Sequence, residues 1–511
     1  MSNQGVRGYY QITETIKTNL LADENVNTVT TGDIFDIDLS KQTIFPLSHI
    51  IINSVTIQEQ ILNFNMSRIT LILLVLLFFS CSIKEDKIRW ITLDPGHFHA
   101  ALVQKIMYDE IDPEVHVYGP KGTDLEMHLN RITAYNQRAS QPTSWKIKVY
   151  DKPDFYEHFL TEKSGSVVVL SGNNKKKTTY ILDAIKKGFH VYADKPMVIQ
   201  PQEFQTLEKA FELAEKQNLL IYDIMTERSE ITTLLQKELS QEATVFGRLI
   251  KGSPKEPAIV KSSVHHYSKK VSGKPLIRPA WFFDTQQQGE GLVDVSAHLV
   301  DLTFWECFPE QAIERSDIQL LDAQRWPTAM SLADFKNVTH LDRFPKYLDP
   351  NIKNDSLFVF ANGAMTYTIK GHHAKVEVLW NFKAPEGTGD THYSIMRGTK
   401  ADLEILQTKY ENYTPTLFIN KKQGFDFDAF QKIMKQLSKK YPGLSFKERS
   451  GQIEILIPDQ LREGHEAHFA AVTRRFIKYF KKQKLPKWEV TNMLTKYHLT
   501  TTALKQAHSL K

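Results

Sequence analysis

The sequence predicts an α/β fold: a Rossmann-like, doubly wound parallel sheet at the N-terminal side, followed by an α+β domain with a large, mostly antiparallel sheet. Three observations carry this. Between residues 86 and 225, short apolar runs alternate with helical segments joined by short links. One of those runs, Ser166-Val-Val-Val-Leu-Ser171, is uninterrupted, as in a strand buried on both faces. From residue 226 to 511, strand-like segments follow one another with turn residues between them.

In order, Arg89–Leu93 reads as the first strand, and Asp94-Pro-Gly-His-Phe-His as a tight turn opening a helix. Strands Glu114–Tyr118, Lys146–Tyr150, Ser166–Ser171, Phe189–Ala193 and Leu219–Asp223 follow. Helices Asp124–Asn136, Asp154–Lys163, Lys175–Lys187 and Pro201–Gln217 fall between them. Ligands of such sheets sit at the carboxyl ends of the strands. Where a dinucleotide fold presents Gly-x-Gly-x-x-Gly, the turn keeps only Gly96. The second strand ends in Tyr118-Gly-Pro-Lys121 without the acid that grips an adenosine ribose; Asp124 is near, and serves equally well as a helix N-cap.

In the second half, Phe246–Lys251, Leu357–Phe360, Met365–Ile369, Lys375–Phe382, Thr391–Arg397 and Asp402–Ile405 read as strands, with turns at Asn362-Gly363 and Glu386–Gly389. Asp294–Phe308 is a helix beside the sheet, and residues 426–460 have the look of an insertion. Helices Glu463–Gln483 and Val490–Gln506 close the chain, the latter expected to pack back on the first domain.

At 511 residues and 41% hydrophobic content the chain can bury two or three domain cores, which excludes disorder and a disulfide-stapled miniprotein. A net charge of +5 with no long Lys/Arg block argues against a nucleic-acid partner. The charge is uneven, because residues 1–65 carry three bases against seven acids. Directly after them, residues 66–81 (Met66-Ser-Arg68, the apolar run Leu71–Phe79, then Ser80-Cys81) have the layout of a bacterial lipoprotein signal peptide, too short to span a bilayer. The expectation is a protein lipidated on Cys81 in the bacterial cell envelope, its only membrane contact the lipid anchor, with residues 1–65 an extension foreign to it. Cys307 is then the remaining thiol, read as a core filler.

Two stretches point to chemistry. The first is Asn173-Asn174, then Gly188-Phe-His190-Val-Tyr-Ala-Asp194-Lys195-Pro196. The second is Trp281-Phe-Phe-Asp284, then Gly289-Glu-Gly291-Leu-Val-Asp294-Val-Ser-Ala-His298-Leu-Val-Asp301. With Arg397-Gly-Thr-Lys-Ala-Asp-Leu403, these resemble in order the signatures of the Gfo/Idh/MocA family (glucose-fructose oxidoreductase / inositol dehydrogenase), Asp194 replacing the usual Glu. The resemblance implies NAD or NADP as cofactor and a sugar or polyol as substrate. It places Gly96, His97, Phe98, His99, Ser171, Asn173, Asn174, Asp194 and Lys195 around the cofactor. It implies a C-terminal sheet that floors the substrate site and often forms a homo-oligomer interface.

The residue types agree. Asp294 and His298, four apart on a helix, share a face where the carboxylate can orient the imidazole. His298 is suited to accept a hydroxyl proton near neutral pH, and the Lys195 ammonium to polarise the same hydroxyl. Asp301 is as readily structural. Tyr267, Arg278 and Trp281 belong to a segment that lines the sugar site in the resembling family. His372-His373 and His465-Glu-Ala-His468 have metal-like spacing but no clear third ligand, so no metal is expected. The functions left open are hydride transfer with a tightly held cofactor, glycoside cleavage by transient oxidation, and non-catalytic sugar binding with a decayed cofactor site.

Overall fold

The computed structural model describes residues 87–163, 165–271, 274–386, 388–449 and 451–509; the proposed signal segment, Cys81 and residues 1–65 lie outside these. Six strands form a parallel sheet in the order β3-β2-β1-β4-β5-β6. They are β1 (Ile88–Leu93), β2 (Ile111–Tyr118), β3 (Lys146–Tyr150), β4 (Val167–Leu170), β5 (His190–Asp194) and β6 (Ile221–Ile224). All six predicted strands are present. The crossover helices are α1 (His99–Leu102), α2 (Thr123–Gln137), α3 (Phe155–Phe159), α4 (Lys177–Lys186) and α5 (Phe204–Lys216). The Val167–Leu170 strand is buried throughout, as its unbroken apolar run requires. The order reverses between β1 and β4, so the carboxyl ends of these two strands open the crevice where such sheets bind ligands.

After α6 (Ile231–Ser240) the chain builds a ten-stranded sheet. Its strands are β7 (Ile259–Ser268), β10 (Ile318–Ser331), β11 (Ile352–Lys353), β12 (Ser356–Ile369), β13 (His372–Lys383), β14 (Thr391–Arg397), β15 (Ala401–Leu406), β16 (Thr416–Lys421), β17 (Ser445–Arg449) and β18 (Gln452–Leu456). A two-strand hairpin, β8 (Lys270–Val271) with β9 (Lys274–Pro275), stands apart. Every pairing in the large sheet is antiparallel except β13 with β7. Residues 426–460 extend one edge, with α10 (Phe427–Lys440) preceding β17 and β18; α7 (Thr285–Gln288), α8 (Ser296–Cys307) and α9 (Leu332–Thr339) lie earlier in the chain.

Three expectations change here. Phe246–Lys251 is not a strand and makes only a bridge, Leu249 to Gly398. In the large sheet the reading missed β7, β10, β16 and the two-residue β11; β10 alternates poorly, with one face left to solvent for much of its length. Asn362-Gly363 is not a turn but lies inside the continuous β12. There the burial alternation is interrupted at Ala361 and Asn362 and then resumes in phase, and the pairing with β10 shifts register between Trp326 and Thr328. Asn362 bridges the irregularity, donating to the Trp326 carbonyl (3.1 Å) and Thr328 Oγ1 (2.8 Å) and accepting from the Trp380 amide (2.7 Å). Glycine is needed at 363 because a Cβ would lie 2.7 Å from Leu292 Cγ.

The two halves share one compact unit. Phe469, Val472 and Phe476 of α11 (His465–Lys481) and Met493 and Tyr497 of α12 (Lys487–Ser509) complete the core of the parallel sheet. The C-terminal helix therefore does pack back on the first domain. A buried ionic network fixes the join. Arg228 bonds both oxygens of Asp301 (2.6 and 2.7 Å) and both of Glu489 (2.8 and 3.1 Å), and Lys496 bonds Asp301 (2.9 Å) and Asp223 at the end of β6 (2.6 Å). Asp301 is thus structural. Cys307 is half-buried, and burial pushes its thiol far above the ordinary value, so it stays unionised.

Candidate active site

The turn after β1 is drawn tightly against the end of β4. Gly96 and His97 both donate their amides to the Ser171 carbonyl at 3.3 Å. Gly172 permits this approach, since a Cβ there would stand 2.1 Å from the Asp94 carbonyl oxygen. At Gly96 a Cβ would lie 3.0 Å from Asp124 Oδ2 and 3.2 Å from the Trp281 ring. Trp281 Nε1 donates to Asp124 at 2.7 Å. Asp124 is therefore not the N-cap of α2, a place taken by Gly122. Burial, with Asp94 nearby, raises its carboxyl above the usual range, opposed by the Trp281 bond. Trp281, expected to line the sugar site, lies against Gly96 and Asp124 at the turn after β1.

Asn173 and Asn174 bind the second half of the chain. Asn173 Nδ2 donates to Gln287 (2.6 Å) and its Oδ1 caps the Lys175 amide (3.0 Å), while Asn174 Nδ2 donates to the Gln288 carbonyl (2.7 Å). α7 is in this way fixed over the end of β4.

At the end of β5, Asp194 gathers a buried cluster. Its Oδ2 takes His99 Nδ1 at 2.9 Å and Ser171 Oγ at 3.0 Å, with His97 Nδ1 at 3.8 Å, and its carbonyl takes Lys177 Nζ at 2.9 Å. Burial alone would raise the Asp194 carboxyl, but the surrounding His99, Lys177 and His97 hold it well below the ordinary range. Burial also holds both His97 and His99 below the ordinary histidine value. Phe98 packs against both, its ring centroid 4.6 Å from His97 and 4.4 Å from His99, while the two imidazoles meet edge to face at 4.1 Å.

Next in the chain, Lys195 reaches across to Asp294 Oδ1 at 2.7 Å, and Gln288 Nε2 donates to Asp294 Oδ2 at 2.9 Å. Asp294 precedes α8 instead of lying within it, and its carboxylate goes to Lys195 and Gln288. The expected Asp294–His298 pair is not made. His298 Nδ1 is buried without a hydrogen-bond partner. Burial first, then the Lys195 ammonium, hold this imidazole well below its ordinary value, so it is neutral at neutral pH.

Arg278 and Tyr267 lie deeper. Arg278 donates to the carbonyls of Tyr267 and His266 (2.9 Å each) and stacks on Phe282. The Tyr267 hydroxyl is buried without a partner, beside a small cavity lined also by Gln288, Asp294, Ala361 and Trp380. Gly291 backs this wall, since a Cβ there would sit 2.1 Å from the Ala361 carbonyl oxygen.

Sequence reasoning gave no role here to His465, Glu227 or Asp390. His465 Nε2 stands 3.2 Å from His99 Nε2, with Glu227 3.9 Å behind its Nδ1. Burial and then Glu230 push the Glu227 carboxyl up to about 7. Asp390 accepts from the His266 amide (3.1 Å), contacts His265 Nδ1 (2.9 Å) and pairs with Lys269. All are brought in from distant segments, and local spacing holds no trace of them; His465-Glu-Ala-His468 attracted notice only as a metal-like spacing.

The arrangement is a carboxylate-held ammonium and a neutral imidazole at the carboxyl edge of a parallel sheet. A nicotinamide cofactor fits it in chemistry. Asp124 and the Trp281 ring close over Gly96, and the Asp124 carboxylate, which here accepts from Trp281 Nε1, is the kind of acceptor a ribose hydroxyl needs.

Comparisons with known proteins agree. Residues 117–223 match the family model "Oxidoreductase family, NAD-binding Rossmann fold", and residues 235–508 match "Putative oxidoreductase C terminal domain". A crystal structure of a "putative oxidoreductase" from Parabacteroides merdae is 50% identical, with a TM-score of 0.81 over 83% of this chain and 98% of that one. Two others share the fold alone. Levoglucosan dehydrogenase, in complex with NADH and L-sorbose, has 11% identity and a TM-score of 0.54 over 83% of this chain and 98% of its own. The 3-ketoreductase KijD10 of Actinomadura kijaniata, in complex with NADP, has 13% identity and a TM-score of 0.51 over 82% and 98%. No curated protein matches the chain.

Proposed function

Because the chain belongs to the Gfo/Idh/MocA oxidoreductase family, with its NAD-binding Rossmann fold and oxidoreductase C-terminal domain, we propose that it transfers hydride between a nicotinamide cofactor and a hydroxyl-bearing carbon of a sugar or polyol. The observation that carries this reading is the Lys195–Asp294 pair beside neutral His298. When bound, the cofactor supplies the hydride acceptor. Asp294, held by Gln288, keeps the Lys195 ammonium directed at the site, where it polarises the substrate hydroxyl. His298 accepts the hydroxyl proton, and the absence of a partner on Nδ1 leaves the imidazole free to do so. The buried, unpartnered Tyr267 hydroxyl stands beside Asp294 at the floor of the substrate site, and Arg278, bound to two carbonyls, positions Tyr267.

The Met66–Cys81 segment supports a lipid-anchored envelope protein, where free nicotinamide is scarce and a tightly held cofactor is expected. Fatty-acid labelling in a bacterial host tests the anchor: incorporation should vanish in Cys81→Ala, and unchanged labelling sinks it. For the function, the full chain is purified, denatured, and its released small molecules weighed. Bound NAD or NADP is the expected result. An empty protein with no affinity for added nicotinamide dinucleotide overturns the reading and favours a non-catalytic sugar binder.

A further inference from the structure

His97, His99 and Asp194 put two imidazoles and one carboxylate, each able to offer one ligand atom, within 4.8 Å of one another. It is a buried set: Asp194 and His99 are almost wholly enclosed, and His97 is 18% exposed. A tetrahedral divalent ion with bonds of about 2.0–2.1 Å holds neighbouring ligand atoms roughly 3.3 Å apart. The separations from Asp194 Oδ2, 2.9 Å to His99 Nδ1 and 3.8 Å to His97 Nδ1, straddle that value.

The hydrogen bonds also leave the right lone pairs. His97 Nδ1 takes only a long 3.4 Å contact from the His99 amide, which makes it an acceptor, unprotonated and ready to ligate. His99 has Nδ1 toward Asp194 and Nε2 toward His465. With Nδ1 on a cation, its Nε2–H donates to His465 Nε2, whose Nδ1–H then points to Glu227 at 3.9 Å. A ligating histidine whose other nitrogen is held by an outer partner, backed by a carboxylate, is the usual support of a protein-bound metal.

We propose that His97, His99 and Asp194 bind one divalent transition-metal cation, with His465 and Glu227 orienting His99 from behind. Two imidazoles and a carboxylate suit Zn²⁺, Fe²⁺ or Mn²⁺, and three protein ligands leave positions for water or a substrate oxygen. The site lies one residue from Lys195, whose ammonium acts electrostatically on both imidazoles. Neither spaced-histidine pair noted in the sequence forms it; the third ligand comes from another strand.

The test uses the untagged full chain, stripped with a chelator and titrated with Co²⁺ alone, without nucleotide or sugar, so that its outcome is independent of the hydride-transfer reading. The expected result is saturation at one ion per chain with the strong visible bands of a four- or five-coordinate site. His97→Gln and Asp194→Asn should abolish those bands while near-ultraviolet circular dichroism is kept. His465→Ala should retain them with affinity about 10–100-fold weaker. No binding, the pale spectrum of an all-water ion, or unchanged bands in His97→Gln overturns the proposal. Should the variants not fold, X-ray absorption of the zinc-loaded wild type decides: an imidazole scattering shell supports the site, and an all-oxygen shell refutes it.

Discussion

Two buried polar clusters gather at neighbouring strands, one around Asp194 of β5 and the other around Asp223 of β6, and are built to opposite rules. In the Arg228–Asp301–Glu489–Lys496–Asp223 network each cation faces two carboxylates, and Asp301 faces two cations. In the cluster around Asp194, Lys195 and His298, four imidazoles are held neutral by burial, one of them with an unpartnered Nδ1. The first cluster spends its polarity inside the molecule and holds two halves together. The second withholds it, keeping lone pairs and a proton-accepting ring for something outside the chain. Burial is common to both, and each leaves an atom unpartnered, Asp223 Oδ1 in the first and His298 Nδ1 in the second; the pairing of opposite charges in one against neutral rings in the other sets them apart.

The contrast breaks most sharply on activity. His298→Ala should cut turnover about 10²–10⁴-fold while leaving bound dinucleotide and thermal stability near wild type; steady-state rates and nucleotide content check it, and retained turnover removes His298 as base. Arg228→Ala should do the reverse. It strands Asp301 and Glu489, costing about 3–5 kcal/mol in a denaturant titration, with activity per folded molecule unchanged. An Arg228→Ala protein that lost activity without losing stability would erase the distinction between the clusters.

Gly363→Ala probes the wall between β12 and the site segment. Its Cβ meets Leu292 at 2.7 Å, and the strain should cost about 1–3 kcal/mol; denaturant midpoints decide. The smallest effect is a pH dependence. His97, His99, His298 and His465 all have folded values below the ordinary 6.5. Their unfolded forms therefore take up protons first, so stability is full above about 6.5 and is lost as pH falls below it. Because neutral His298 is the active form, the acid limb of the rate should also fall below that value. A protein that gains stability between pH 6.5 and 5.5 contradicts these neutral assignments.

The parallel sheet was legible because each of its strands announces itself locally: an apolar run bounded by turns, with helices between. β10 was not, since an edge strand half open to water carries no clean alternation. Asn362-Gly363 misled for a definite reason, as residues that favour turns also suit a strand irregularity where another backbone comes close. At the site, Lys195, Asp294 and His298 stood in recognisable order, but their partners did not follow from spacing. Asp294 turned to Lys195, ninety-nine positions away, and not to His298 four away, because it stands before the helix and not on it. Trp281 was assigned to the sugar from its surroundings in sequence, yet Asp124 holds it over Gly96. His465 and Glu227 come from the end of the chain and from beyond β6, a meeting only the tertiary fold makes.

The central claim is that Lys195 and His298 serve hydride transfer from a carbinol carbon to nicotinamide. The direct measurement is isotopic. The purified full chain, supplied with NAD and NADP, is incubated with a panel of C-deuterated hexoses and cyclic polyols, and the dinucleotide is recovered for mass spectrometry. Deuterium should appear on the nicotinamide with at least one of them and be absent with His298→Ala. Nicotinamide that stays unlabelled across the panel, in a protein shown to bind it, would contradict the account.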